Sequence, residues 1–219
     1  MTRRLAIAAA LLAAIVATGC KPTPDPLTVD IVGDSITAQS YWGRDAAWLT
    51  DGPGAPAGSD ILKDAWLGYK FEDVQEREAE RVMAEENPRP SILVIALGTN
   101  NASLGGGGWT TADEAAFSKL LNTPHPNSCV VVSLPAAGPA AGPAVTAEFA
   151  KMRAAMRSIS ATRPRTVVVD WADIVTADPT VLAPDGVHLA SDERHPANNH
   201  AAAAFASNLW SGVAECPGA

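Results

Sequence analysis

Short, nearly continuous apolar runs recur along the chain at residues 27–32, 92–97, 129–134 and 166–171, each rich in Val, Ile or Leu. A strand with one wet face would alternate apolar and polar residues. Runs this continuous predict strands covered on both faces, as in a parallel sheet. Helical stretches are predicted between and after them at 71–86, 111–121, 144–162 and 198–213. Alternation of strand and helix predicts an α/β three-layer sandwich around a mostly parallel sheet. A weaker strand at 60–66 is expected at an edge.

Ligands of open parallel sheets collect beyond the carboxyl ends of the strands. Gly33-Asp34-Ser35 follows the first run and Gly98-Thr99-Asn100-Asn101 follows the second, so both motifs are expected on one rim. The glycine-rich loops 51–59 and 102–109 should border it. Gly105 to Gly108 stand in a row, and four successive glycines cannot pack a core, so a mobile lip is expected there.

The first twenty residues run from Arg3-Arg4 through an apolar stretch at 5–17 to Thr18-Gly19-Cys20, the order of a secretory signal and too short for a comfortable membrane span. The small pair before Cys20 is similar to a bacterial lipoprotein processing site, although Ala17 stands where Leu is usual. The expected organisation is a signal peptide at 1–19, a lipidation site and Pro-rich tether at 20–26, and a single domain at 27–219. That domain would be anchored outside the cytoplasmic membrane through lipid on Cys20, with secretion as the alternative. With Cys20 set aside, Cys129 and Cys216 remain, and two cysteines in an exported chain predict a disulfide.

The formal charge of −8 includes Arg3 and Arg4; without that segment 14 basic side chains face 24 acidic ones. Such a surface argues against nucleic acid and other polyanions and says little about neutral sugars or esters; a monomer is expected.

Candidate chemistry sits at Ser35 and in Asp185-Gly186-Val187-His188. A hydroxyl needs a base to take its proton, and the base works best when a carboxylate holds its tautomer. An Asp and a His three residues apart in a short turn or the first turn of a helix can present both partners together. Taken alone, Ser35 also reads as a turn serine or helix cap, Asn100 as a turn residue and Gly68 as a backbone glycine. His195, His200, Asp170 and Asp173 compete for the base and acid roles, and His125 stands between prolines with no role. No Cys or Glu completes a zinc pattern around His195 and His200. A nucleophile elbow would need Gly at Thr37, a Ser-x-x-Lys pattern would need Lys at Ala38, and no phosphate loop occurs.

Four blocks in order give the chain its resemblance: Gly33-Asp34-Ser35, Gly68 within Ala65-Trp66-Leu67-Gly68, Gly98-Thr99-Asn100, then Asp185 and His188. Over about residues 27–213 it resembles an SGNH (GDSL-type) hydrolase. The resemblance implies the flavodoxin-like fold of that family and no cofactor. It also implies Ser35 as nucleophile, His188 as base and then acid, and Asp185 as its orienting carboxylate. The oxyanion donors it implies are the N–H groups of Ser35 and Gly68 and the side-chain amide of Asn100. One departure is Asn101, where the family carries Asp, and its expected effect falls on loop geometry rather than chemistry.

The function expected is an exported serine esterase removing a short, acetyl-like acyl group from carbohydrate or lipid through an acyl-enzyme on Ser35, its partner a small-molecule or glycan ester. An envelope O-acyltransferase using the same residues and an inactive glycan-binding lipoprotein are the alternatives. Most of the six tryptophans are expected in the core, with stacking on sugars the other use.

Overall fold

The structure, a computed structural model, describes residues 27–40, 49, 52, 54–74, 91–102, 107–190 and 200–217. The leading segment with Cys20, the tether, Trp42, Trp48, Gly105, Gly106, His195 and residues 75–86 lie outside the described residues.

Strands form where the apolar runs lie, to within a residue. β1 (Thr28–Gly33), β2 (Asp60–Ala65), β3 (Ser91–Ala96), β4 (Cys129–Leu134) and β5 (Thr166–Asp170) pair in the order β2-β1-β3-β4-β5, every pair parallel. The weaker run is the edge strand β2. Gly33 lies level with Ala65 on one side and Ala96 on the other, so the chains leaving β1, β2 and β3 emerge side by side.

Alternate side chains of the strands feed two cores. Leu93, Ile95 and Leu97 with Val130 and Val132 pack against Phe117 and Leu121 of α2 (Thr111–Leu121) and Phe149, Met152 and Met156 of α3 (Pro143–Ser160). Ile92, Val94 and Val131 pack against Trp171 and Val175 of α4 (Trp171–Ala177) and Phe205, Leu209 and Trp210 of α5 (His200–Ala214). Each such side chain contributes about 1.5–3 kcal/mol on burial. Continuous apolar runs are therefore required, because both faces of each inner strand are covered.

The last run stops one residue short of the expected end, at Asp170, and Trp171 opens a helix. Asp170 causes the change: its Oδ1 accepts the Ala172 N–H at 3.0 Å as an N-cap, while Arg153 and Arg157 of α3 pair with its other oxygen. Residues 71–74 are helical, as expected for the start of their segment. Cys129 and Cys216 form the disulfide, with Cα atoms 5.9 Å apart and a sequence separation of 87. It ties the turn after α5 to the start of β4, and closing a loop of that length contributes roughly 4 kcal/mol in the chain-entropy picture. Trp109, Trp171 and Trp210 are buried, the use expected of most tryptophans.

Candidate active site

The chain leaves β1 through a turn with no room for a side chain at its first position. A Cβ on Gly33 would lie 2.2 Å from Thr37 Oγ1, whose hydroxyl donates to the Ala96 carbonyl at 3.2 Å. Asp34 then caps the short helix α1 (Ser35–Gln39): its Oδ1 accepts the Ile36 N–H at 3.0 Å and its Oδ2 the Thr99 N–H at 3.1 Å. One carboxylate thus joins the turn after β1 to the turn after β3. Asp34 is 1 % exposed. Burial pushes its carboxyl up to about 6, against the pull of the Ile36 and Thr99 hydrogen bonds and of His188.

A pKa raised on folding gives a stability contribution that is complete below the unfolded value of 3.8 and lost as pH rises through about 6. Asn at this position does not titrate, and it offers an amide donor where one of two N–H groups needs an acceptor. Asp34→Asn is therefore expected to destabilise the fold, by about 2 kcal/mol more at pH 4.5 than at pH 7.5. Urea unfolding of both proteins at the two pH values checks this, and a gap independent of pH would contradict it.

Residues 182–190 form a compact turn rather than a helix start. Leu182 bridges Leu189, the Ala183 N–H donates to His188 O at 2.8 Å, and the Gly186 N–H donates to Ala183 O at 2.9 Å. Gly186 has φ +72°, and a Cβ there would lie 2.4 Å from Ala141 N, so glycine is required on both counts. The Leu189 N–H donates to Gln39 Oε1 at 3.2 Å, which fastens the turn to α1.

Within this turn Asp185 Oδ1 accepts the N–H groups of Val187 at 2.9 Å and His188 at 3.0 Å, and Oδ2 lies 2.7 Å from His188 Nδ1. His188 Nε2 in turn lies 3.1 Å from Ser35 Oγ, 153 residues away in sequence. The carboxylate requires a proton on Nδ1. Nε2 is then left with its lone pair toward the serine hydroxyl, the tautomer a general base needs. Partial burial pushes the Asp185 carboxyl up, but hydrogen bonds from the His188 ring and from the Val187 and His188 N–H groups outweigh it and hold it below its ordinary value. Asp185 is thus ionised wherever the imidazole works as a base.

Gly68 and Asn100 stand on the same rim. The Trp66 N–H donates to Gly33 O at 3.3 Å, Gly68 has φ +82° with open space where a Cβ would project, and Asn100 Nδ2 donates to Tyr69 O at 3.0 Å. The loops after β1, β2 and β3 are stitched together by these bonds. Asn101, buried beneath them, accepts the Phe71 N–H at 3.3 Å and donates through Nδ2 to Asp113 at 2.5 Å and Glu72 at 3.2 Å. An amide can hold both an N–H and two carboxylates, whereas a carboxylate cannot. The expectation that this departure bears on loop geometry matches where Asn101 sits.

Of the rivals among the described residues, Asp170 and His200 have other partners. Asp170 caps α4, His200 at the start of α5 lies 3.4 Å from Thr180 Oγ1, and His125 Nδ1 accepts the Asn127 N–H at 3.2 Å in its own turn. Asp173 lies in the first turn of α4. Among the described residues no three His, Cys, Asp or Glu side chains gather as metal ligands. On the glycine-rich loop, Gly107 and Gly108 have positive φ, and the Trp109 that follows is fastened to Glu148 of α3 and Glu114 of α2.

Asp34, Gln39 and the Asn101–Asp113 pair were not assigned by sequence reasoning. Asp34 lies in the Gly33-Asp34-Ser35 motif, but its second partner comes from another strand's turn, and Gln39 carries no sequence signal.

A parallel α/β sheet with a serine, a histidine and an aspartate aligned on its carboxyl rim is the architecture of a serine hydrolase. The family model described as GDSL-like lipase/acylhydrolase matches residues 31–192, and the chain belongs to that family. Among solved structures it is similar to the catalytic domain of a peptidoglycan O-acetyltransferase of Streptococcus pneumoniae, at 18% identity over 86% of this chain and 93% of that one, TM-score 0.65. A lipolytic protein of the G-D-S-L family from Veillonella parvula is similar at 14% identity over 84% and 98%, TM-score 0.66. An acetyl xylan esterase of Geobacillus stearothermophilus is similar at 18% identity over 83% and 94%, TM-score 0.60. No curated protein matches the sequence.

Proposed function

We propose that this hydrolase removes short acyl groups, acetyl above all, from esters of carbohydrate. The observation that carries the reading is the row Ser35 Oγ, His188 Nε2, His188 Nδ1 and Asp185 Oδ2, spaced at 3.1 and 2.7 Å across its two hydrogen bonds. Ser35 Oγ attacks the ester carbonyl as its proton passes to His188 Nε2, and Asp185 holds the imidazolium. The oxyanion is received by the N–H groups of Ser35 and Gly68 and by the Asn100 amide. His188 returns the proton to the leaving sugar hydroxyl, and water then attacks the acyl-enzyme with His188 again as base. Acetate release from acetylated xylan, measured with Ser35→Ala alongside, tests the proposal; release that persists in the variant would sink it.

Acyl transfer to a sugar hydroxyl in place of water is the second reading, favoured by similarity to an O-acetyltransferase domain over 93% of that chain. An acetylated acceptor sugar accumulating at the expense of free acetate would select it.

We also propose that the domain is exported and carried on the outer side of the cytoplasmic membrane by lipid on Cys20. The signal-like order of residues 1–20 supports this. Expressed in a bacterial host, the full chain should fractionate with membranes and Cys20→Ser should move to the soluble or secreted fraction; a parent found wholly in the soluble fraction contradicts the anchor.

A further inference from the structure

Exposed large apolar side chains of the described residues fall on one short stretch, Leu62, Trp66 and Leu67, with Trp66 52% and Leu67 61% exposed. The other described tryptophans are buried. Trp66 is nonetheless held in place. Its Nε1–H donates to Asp64 Oδ1 at 3.0 Å, and its ring packs against Tyr69 with centroids 6.4 Å apart and planes at 45°. Leu62 and Asp64 lie on one face of the edge strand, and Trp66 continues that spacing just beyond its end. Its backbone bonds to Gly33, two residues before Ser35, which puts the Trp66 backbone within roughly 10 Å of the Ser35 backbone.

We propose that Trp66 and Asp64 form a subsite for a neutral pyranose, holding the sugar portion of the ester while its acyl group reaches Ser35. This rests on the esterase reading for the identity of the sugar as the alcohol half. An exposed, oriented indole offers its face to the C–H face of a sugar ring, and a carboxylate at the indole edge accepts ring hydroxyls. An acyl chain or lipid surface laid on the same spot would strip water from Asp64, which is costly. A polyanionic glycan would meet a chain whose formal charge is −8. The chemistry that fits is a neutral glycan.

The test compares kcat/KM for acetylated xylotetraose with that for p-nitrophenyl acetate. In Trp66→Ala the ratio of the two is expected to fall at least tenfold, chiefly through KM for the sugar ester, and Trp66→Phe should recover most of it. An unchanged ratio overturns the subsite. If the parent hydrolyses neither ester, the esterase reading fails, and the subsite is read by binding instead. Xylotetraose or N-acetylchitotetraose titrated into Ser35→Ala protein should change tryptophan fluorescence, and the change should vanish when Trp66→Ala is added. No change with either sugar, or a change only with phosphatidylcholine–phosphatidylglycerol vesicles, overturns the proposal.

Discussion

Ser35→Ala is expected to lower p-nitrophenyl acetate turnover by at least about 10⁴-fold, because Ser35 Oγ is the group that His188 activates to carry the acyl group. The same change should leave the fold in place. Ser35 Oγ makes one described hydrogen bond, to His188, and the neighbouring turn is held by Asp34, Thr37 and Gln39 instead. Its unfolding free energy from urea titration should change by less than about 1 kcal/mol. Turnover retained in a folded variant would remove Ser35 from the nucleophile role. Turnover lost together with the fold would leave the role to be tested by covalent labelling of Ser35 with a phosphonate ester.

Asn101→Asp, which would restore the residue the family carries, is expected to destabilise this protein by about 3–5 kcal/mol at pH 7.5. Asn101 is 2% exposed and its amide donates to the carboxylates of Asp113 and Glu72. Asp113 is also the third residue of α2, where it closes the capping box with Thr110. In the parent, burial pushes the Asp113 carboxyl up, but hydrogen bonds from Thr110 and Asn101 outweigh it and hold it below its ordinary value. A depressed pKa contributes stability that is present above the unfolded value and lost as pH falls through the folded one. With Asp at 101 the donor becomes a second carboxylate, and one of the pair must take a proton. A raised pKa reverses the sign, so the variant should approach the parent as pH falls toward 4.5. Urea unfolding across that range checks both sign and size; a variant as stable as the parent at pH 7.5 would show that the pocket admits water.

Strand positions were legible in the sequence because burial on two faces writes itself into a continuous apolar run, as in Val130-Val131-Val132. Trp171 marks the limit of that signal. It extends the apolar run, but whether it continues β5 or opens α4 was settled by Asp170, whose cap and arginine partners lie on different elements. Ser35, Asp185 and His188 were legible as residue types in motifs, and the turn that presents Asp185 and His188 together needs only local bonds. What was not legible is the contact across 153 residues that makes them a row.

By itself the sequence determined the strands, the helices α2, α3 and α5 and the residue types of the site, since each depends on neighbours a few positions away. Only the tertiary structure decided that β1 lies between β2 and β3, which levels Gly33 with Ala65 and Ala96 and brings the loops carrying Ser35, Gly68 and Asn100 to one rim. It also decided that Asp34 reaches Thr99 and that Asn101 must be an amide beside Asp113. Those features depend on which distant groups a buried carboxylate or amide meets, and no local pattern records that.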